Sequence, residues 1–379
     1  RRTGAHDAGA CDRKGEGSMT KEKKNEKKKD GLNSVLMQVA ISIISIVFAF
    51  LVGGIIIAVM GENPFKAYSV LIKGAVGTPV ALTVSLTKTV PLILTGLAVA
   101  VAQKSRVFNI GAEGQLLVGA FAAGYVGFTF HLPAPLHILL CLAAAVIAGM
   151  FWAFIAAFLK YSRNVHVVIA TIMLNYIATS LVQYFVCGPF KEPGATFNAT
   201  SAIADTAKLP QILPRPLSLN LGFVIALVMI AACWFLLNKT TTGYEMRAVG
   251  SNPNASRVGG INIKKNMFMA LVLSGARAGL AGGIEVSGSL YRVMEGFSPG
   301  YGFNGIPVAM MANGNPIAIF FSAFLLGAMR NGALAMQIQL GISQDIVDII
   351  QGLVIIFLGC DYMIRYYINH VRLERRKLA

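Results

Sequence analysis

Polar and charged side chains interrupt several long apolar stretches of this chain. A charge held at mid-bilayer needs a partner or a function, and amides at that depth offer paired hydrogen-bond donors and acceptors. Aromatic rings beside some of these amides could stack on a base or pack on a sugar ring. We therefore predict a pathway for a polar but uncharged solute. Its predicted lining is Phe108, Asn109, Glu113, Gln115, Asn175, Arg277, Phe303 and Asn304.

The same side chains also have an ordinary structural interpretation. Glu113 and Arg277 could pair with polar groups on neighbouring helices, and each amide could hydrogen-bond one helix to another. Gly275, Gly279 and Gly283 repeat every four residues around Arg277, and this spacing places them on one helix face, where it allows close helix approach. At this point a structural role and a pathway role both stay open.

The overall composition indicates a membrane protein. Of 379 residues, 55% are hydrophobic and 13% are charged, and the mean hydropathy is +0.64. A soluble domain carries charge at about a quarter of its positions, so a soluble protein is excluded. The net charge of +16 does not indicate nucleic-acid binding, because the lysines and arginines lie mainly in short breaks between apolar runs. No nucleic-acid partner is expected.

Segments of roughly 20 apolar residues are long enough to cross a bilayer. We predict an all-α, polytopic membrane helical bundle of about ten transmembrane segments, one of them a half-helix at residues 306–312 between glycines. The predicted full spans are residues 35–60, 82–102, 108–130, 138–159, 166–186, 221–237, 267–290, 317–337 and 346–364. The transmembrane domain is expected to cover residues 35–364.

Lysine and arginine placement predicts the orientation. The breaks rich in these residues include the lysine-rich tail at residues 19–34, the loop at 239–266 and the basic tail at 365–379. We expect both termini and that loop to be cytoplasmic, and the long loop at 188–220 to lie outside. Residues 1–18 look unlike the rest of the chain and are expected to be an upstream or expression-derived segment.

A short internal similarity raises the possibility of an inverted repeat. Leu92-Ile-Leu-Thr-Gly-Leu-Ala resembles Leu271-Val-Leu-Ser-Gly-Ala-Arg, and the predicted topology runs these segments in opposite directions. Such repeats place a substrate path at their interface. Chance similarity between two Leu-rich helices is an equally good explanation.

The loop at residues 239–266 contains the most specific pattern. Asn252 followed by Pro253 is a typical helix start, with an N-cap and then proline in the first turn. Gly259 and Gly260 can end that helix. We predict a compact helix on the cytoplasmic face. It could be the contact for a soluble partner or an ordinary connector between two spans, and both interpretations stay open from these residues.

Here the chain resembles the permeases of ABC importers of the ribose, simple-sugar and branched-chain amino-acid type. In that family a Gly-x-x-x-Arg-Ala-x-Gly-x-Asn-Pro-x-Ala pattern marks the loop that couples to the ATPase. The resemblance assigns this ATPase-coupling role to Gly243, Arg247, Gly250, Asn252, Pro253, Arg257, Gly259 and Gly260. Two further stretches, Val107-Phe-Asn-Ile-Gly-Ala-Glu-Gly-Gln-Leu and Gly302-Phe-Asn-Gly-Ile-Pro-Val-Ala, are similar to the nucleoside-uptake branch.

The resemblance implies one half of a transporter in a bacterial plasma membrane. A second related permease, or a second copy of this chain, would complete the pathway, and separate ATPase subunits would bind ATP with magnesium. An external substrate-binding lipoprotein would deliver a nucleoside. No Gly-x-x-x-x-Gly-Lys-[Ser/Thr] phosphate loop occurs, so by that motif the chain does not hydrolyse ATP. No catalytic residue, metal site or directly bound cofactor is expected in it.

Three alternatives stay open from the sequence. A permease of the same family could carry simple sugars or branched-chain amino acids instead. A secondary transporter could couple ions through carboxylates such as Glu113, Asp345 and Asp348, although this does not explain the Asn-Pro helix. An intramembrane enzyme would need a catalytic motif. His-Glu-x-x-His does not occur, and Gly-x-Ser-x-Gly occurs at Gly296-Phe-Ser-Pro-Gly, but no predicted strand precedes it, as a nucleophile elbow would require.

Overall fold

The structure is a computed structural model that describes residues 47–214 and 216–359. The segments predicted at residues 1–18, 19–34 and 365–379 lie outside the described residues, as do the first part of the predicted span 35–60 and the end of span 346–364. Contacts divide the chain into two units, one of which comprises residues 54–351. The other unit contains the terminal segments, of which residues 47–53 and 352–359 are described.

The described part is helical almost throughout. In chain order the α-helices are α1 (Val47–Val59), α2 (Pro64–Val76), α3 (Pro79–Gln103), α4 (Ala112–Thr129), α5 (Ala134–Arg163), α6 (Val167–Cys187), α7 (Leu221–Lys239), α8 (Thr241–Ser251), α9 (Pro253–Val258), α10 (Ile263–Glu285), α11 (Tyr301–Met311), α12 (Pro316–Leu340) and α13 (Gln344–Gly359). A 3₁₀ turn lies at Asp205–Ala207, and α10 continues into a π-helical turn at Val286–Leu290.

Six described helices are long and apolar enough to cross a membrane: α3, α5, α6, α7, α10 with its π turn, and α12. The pair α1 and α2 passes the same test when taken together, but it bends sharply where Gly61 adopts a φ of +88°. The predicted polytopic helical bundle is thus confirmed. Helix α11 has 11 residues, too few to cross a bilayer, and it begins five residues before the predicted half-helix.

Proline and a polar N-cap begin several of these helices, as the sequence pattern requires. The side chain of Asn63 accepts hydrogen bonds from the amides of Phe65 and Lys66, and α2 starts at Pro64. Asn315 in the same way accepts from the amide of Ile317 at the start of α12. These side chains satisfy amides that have no partner within the helix.

Helices α3 and α10 form the interior of the 54–351 unit. The second half of α3 is buried continuously, and α10 packs against α3, α4 and α5. A β-carbon on Gly275 would lie 2.4 Å from the carbonyl oxygen of Gly149 in α5, and one on Gly279 would lie 2.3 Å from that of Ala145. The predicted close approach along the glycine face is therefore confirmed, with α5 as the neighbouring helix.

Helices α5, α7 and α12 expose large apolar side chains away from this interior. Ile147, Phe235, Phe321 and Ile338 are each more than half exposed. Water would not solvate such a surface favourably, whereas lipid or another membrane subunit would. The described helices therefore have an apolar outer surface around a buried core.

Two helices were not predicted from the sequence. Helix α2 has only 13 residues and carries Lys66 and Lys73, so a search for 20-residue apolar runs misses it. Helix α8 lies in a polar stretch, where the apolar periodicity that predicts helices is weak. The inverted repeat stays a prediction.

Candidate functional site

Two short helices, α8 and α9, form the loop predicted to be cytoplasmic. The side chain of Asn252 accepts hydrogen bonds from the amides of Asn254 at 3.0 Å and Ala255 at 3.2 Å, and α9 begins at Pro253. Gly259 caps the other end, and Gly260 leaves the helix with a φ of +79°. The predicted Asn-Pro helix is confirmed.

Helix α8 has one buried and one exposed side. Gly243, Met246 and Val249 are buried, whereas Arg247 is exposed between them. On α9, Arg257 is exposed and Val258 is 91% exposed. The loop thus presents two arginines and an apolar side chain on the outer surface of the chain.

A hollow of about 470 Å³ lies between α8 and α9. Its walls include Tyr244, Ala248, Asn252 and Ala255. On the inner side, the carboxylate of Glu245 accepts a hydrogen bond from the side-chain amide of Asn266 at 2.9 Å, which ties α8 to α10. The loop therefore has a hollow between α8 and α9, and a hydrogen bond holds α8 to α10.

The connector between α3 and α4 contacts the end of α8. The guanidinium of Arg106 donates to the carbonyl oxygens of Gly250 at 2.9 Å and Ser251 at 3.4 Å. A β-carbon on Gly250 would lie 2.1 Å from the carbonyl oxygen of Lys104, so glycine at this position permits the contact. Burial, and then the positive charge of Arg247, lower the pKa of Lys104.

The same connector leads directly into a buried amide cluster. The side-chain amide of Asn109 donates to Ser274 Oγ at 2.8 Å and to Gln115 Oε1 at 3.0 Å. Asn109 and Gln115 are at most 1% exposed. These two predicted pathway residues are brought together, but as a hydrogen-bonded group between α4 and α10 in this conformation.

Asn175 on α6 caps the start of α4. Its carbonyl oxygen accepts from the amide of Gly114, and its NH₂ group donates to the carbonyl oxygen of Ile110, both at 2.9 Å. These are backbone groups without a partner inside α4. In this structure Asn175 therefore fixes the position at which α4 begins.

Glu113 joins the start of α4 to the start of α11. Its carboxylate accepts a hydrogen bond from the amide of Gly302 at 2.6 Å, and it is 6% exposed. The first amides of a helix favour a negative charge. A β-carbon on Gly302 would lie 2.2 Å from the backbone nitrogen of Glu113, so glycine permits this backbone approach.

A cavity of about 350 Å³ lies beside this junction, between α4, α6, α11 and the segment at residues 294–300. Of the predicted pathway residues, Glu113 and Phe303 line it. Its other described lining residues are Leu117, Thr179, Val182, Gln183, Val186, Met294, Glu295, Gly296, Phe297, Ser298 and Gly300. We call this space the α4–α6–α11 cavity.

Glu295 adds a second carboxylate to the cavity. It accepts hydrogen bonds from the side-chain amides of Asn198, at 2.7 Å, and Gln183. Hydrogen bonds from Asn198, Cys187 and Gln183 lower the pKa of Glu295 below its ordinary value. Glu295 is therefore ionised at neutral pH.

The remaining predicted pathway residues lie apart from this cavity. Arg277 is 6% exposed, and its guanidinium donates to the carbonyl oxygen of Leu273 in its own helix at 2.7 Å. Phe108 is 36% exposed on the connector, and Asn304 is half-buried on α11. Whether these side chains meet a solute stays a prediction.

Arg106, Gln183 and Glu295 were not predicted as site residues from the sequence. Arg106 follows Lys104 in a short basic break, where a charge is ordinary, although its φ of +57° is unusual for a residue other than glycine. Gln183 lies in a long apolar helix and is the kind of polar exception that the sequence could have shown. Glu295 contacts partners 97 and 112 residues away, which no local pattern records.

This fold and site define a polytopic membrane transport protein whose exposed helical loop is attached to the buried polar segments. The chain belongs to the family described as "Branched-chain amino acid transport system / permease component", which it matches over residues 81–359. The predicted family is thereby confirmed. As a permease component, the chain is the membrane-spanning part of its system, and ATP is hydrolysed by separate subunits.

Several relatives match nearly the whole chain. The guanosine ABC transporter permease protein NupP of Bacillus subtilis (strain 168) is 36% identical, over 89% of this chain and 97% of NupP. The nucleoside ABC transporter permease protein NupB of Lactococcus lactis subsp. cremoris (strain MG1363) is 33% identical, over 88% of this chain and 94% of NupB. The glucose ABC transporter permease protein TsgB13 of Haloferax volcanii is 32% identical, over 88% of this chain and 90% of TsgB13.

Proposed function

We propose that this chain is the permease subunit of an ABC importer that moves nucleosides into the cytoplasm of a bacterium. Its similarity to NupP and NupB over nearly their full length carries the choice of cargo. The described lining of the α4–α6–α11 cavity, with hydroxyl, amide and aromatic groups, supports a polar solute that also has an aromatic part.

The α8–α9 loop is the proposed contact with the ATPase subunits. An exposed helix with a fixed attachment is suited to transmit a movement, because α8 is hydrogen-bonded to the connector through Arg106 and to α10 through Glu245. ATP with magnesium would bind in those partner subunits. We place the loop, and both chain termini, on the cytoplasmic side of the plasma membrane.

A second permease is proposed to cover part of the described surface. The large exposed apolar side chains of α5, α7 and α12 form a surface that lipid or another membrane subunit would cover, and a second related permease or a second copy of this chain would be such a subunit. An external binding lipoprotein is proposed to deliver the nucleoside on the side of the loop at residues 188–220. Nucleic acid is not a proposed partner.

Uptake measurements on the complete importer test which class of solute it carries. Permease, its permease partner, ATPase subunits and binding protein are reconstituted in vesicles, with radiolabelled guanosine, uridine, glucose and leucine offered on the side of the binding protein. We expect ATP-dependent accumulation of the nucleosides and none of leucine. Accumulation of glucose in place of nucleosides would instead favour the sugar alternative, which the similarity to TsgB13 keeps in view.

A further inference from the structure

The exposed side of α6 is polar along one edge. Thr179 and Gln183 are exposed and line the α4–α6–α11 cavity, and Tyr176 and Ser180 are exposed beside them at helical spacing. The hydroxyl of Thr179 donates to the carbonyl oxygen of Asn175 at 2.9 Å, and the side-chain amide of Gln183 donates to Glu295. Polar groups of α6 therefore border the cavity, which can hold a solute.

The size of the cavity fits one small molecule. Its volume of about 350 Å³ lies within the range of about 300–1,000 Å³ that is typical of small-molecule sites. Phe297 and Phe303 supply flat apolar surface, and Ser298 and Thr179 supply hydroxyl groups. A molecule with one flat ring and several hydroxyls matches this combination.

Two carboxylates line the cavity, and Lys191 and Arg330, which interact with them electrostatically, lie outside its lining. Glu113 and Glu295 both line it, and none of its described lining residues is lysine or arginine. A carboxylate is a strong acceptor for a sugar hydroxyl, and it repels a phosphate or carboxylate group placed within a few ångströms of it. Glu113 is buried and Glu295 is exposed, so water screens the repulsion at Glu295 more than at Glu113. The lining therefore favours hydroxyl-rich neutral solutes and disfavours anions.

We propose that the α4–α6–α11 cavity is a nucleoside-binding site within this single chain, and that its carboxylates exclude nucleotides. The site is separate from the one in the external binding protein, so the permease itself selects its cargo by charge. This inference rests on the proposed function, because it specifies the solute that the pathway admits.

Binding to the importer without its external binding protein tests the site. The probe is radiolabelled guanosine on the purified complex of both permeases and ATPase subunits, with unlabelled guanosine and guanosine monophosphate as competitors. We expect saturable guanosine binding that guanosine displaces and the monophosphate does not. Equal displacement by the monophosphate, or no guanosine binding by a complex that imports guanosine with its binding protein, would overturn the proposal.

An isosteric change tests the exclusion by charge. Glu295→Gln keeps an oxygen that accepts a hydrogen bond from Asn198 and removes the charge. We expect the monophosphate to become at least about tenfold more effective as a competitor, an increase that misfolding cannot produce. Glu192→Gln is the matched control, because Glu192 pairs with Arg292 and does not line the cavity. Unchanged exclusion of the monophosphate by Glu295→Gln, with guanosine still bound, contradicts the role of charge.

The guanosine affinity of variants in the cavity lining tests whether these residues form the binding site. Gln183→Leu and Phe297→Ala are each expected to weaken guanosine binding about five- to tenfold, whereas Ser180→Ala, on the same side of α6 but outside the cavity, is not. Wild-type affinity in both cavity variants would exclude the cavity as the site while leaving the proposed function intact. Absence of guanosine uptake by the complete wild-type importer would instead contradict the proposed function.

Discussion

The guanidinium Nε of Arg106 donates a hydrogen bond to the carbonyl oxygen of Gly250 at 2.9 Å. The two residues are 144 positions apart, and they join the connector between α3 and α4 to the last turn of α8. Three residues after Arg106, Asn109 enters the buried amide cluster, and Glu113 lies further along at the junction with α11. The exposed loop and the proposed pathway are thus linked by one short segment of chain.

Removal of this contact is expected to uncouple the loop from the pathway. In Arg106→Ala we expect guanosine uptake per ATP hydrolysed to fall about tenfold, because the 2.9 Å hydrogen bond to Gly250 is exposed and such a bond to a charged group contributes about 1.5 kcal/mol. Arg163→Ala is the matched control, since Arg163 is exposed at the end of α5. Uptake and ATP hydrolysis are measured together in vesicles. Unchanged coupling in Arg106→Ala would show that the contact is not part of the transmission.

Gly250 is expected to tolerate no side chain. A β-carbon there would lie 2.1 Å from the carbonyl oxygen of Lys104, so Gly250→Ala forces the end of α8 away from the connector. We expect a loss of about 1–3 kcal/mol in stability, seen as a lower Tm of the purified permease. Gly259→Ala is the control, because its nearest atom is 3.5 Å away. Equal Tm values for the two variants would contradict the close approach.

Substitution of Asn109 is expected to lower the stability of the permease, whereas substitution of Asn304 is expected to lower guanosine uptake. Asn109→Ala removes two side-chain donations and leaves Ser274 and Gln115 buried without that partner, at about 1–3 kcal/mol for each unsatisfied group. Among the described residues the Asn304 side chain makes no hydrogen bond, so Asn304→Ala is expected to leave Tm unchanged and to lower guanosine uptake. A Tm for Asn109→Ala equal to that of wild type would contradict the buried cluster.

Close packing between α5 and α10 gives a further prediction. Gly279→Leu must separate the two helices, because even a β-carbon would lie 2.3 Å from the carbonyl oxygen of Ala145. We expect a loss of at least about 3 kcal/mol and poor recovery of the permease from membranes. Gly61→Leu is not a suitable control, since its φ of +88° is itself unfavourable for other residues. Gly352→Leu is suitable, because no described atom lies within 4 Å of a β-carbon there. Normal recovery of Gly279→Leu would contradict the packing.

The sequence predicted the helices that depend on long apolar runs and the helix that depends on a local cap. Helices α3, α5, α6, α7, α10 and α12 are predicted by hydropathy, since lipid selects apolar residues over a fixed length. Helix α9 is predicted by Asn252 and Pro253, whose effects are local. Helix α2 is not predicted, because its apolar residues cover one side of only 13 residues.

Some residues of the candidate site were predicted from the sequence, but the contacts between them were not. Glu113 and Gly302 are 189 positions apart, and their contact depends on how α4 and α11 pack. Glu295 reaches the cavity through the loop segments around Asn198, which carry no regular pattern. The sequence thus identified Glu113 and Phe303 as polar and aromatic exceptions, and only the packing places them in one cavity.

The α8–α9 loop is proposed to couple ATP hydrolysis to transport, and this coupling can be measured in the complete importer. ATP hydrolysis and guanosine uptake are recorded side by side in vesicles that contain the complete importer, either wild type or with Arg247→Glu and Pro253→Gly together. We expect the wild type to import guanosine only with ATP, and the double variant to insert in the membrane but lose ATP-driven uptake. Full uptake by the double variant, or uptake by the permease alone under a proton or sodium gradient, would contradict ATP coupling through this loop.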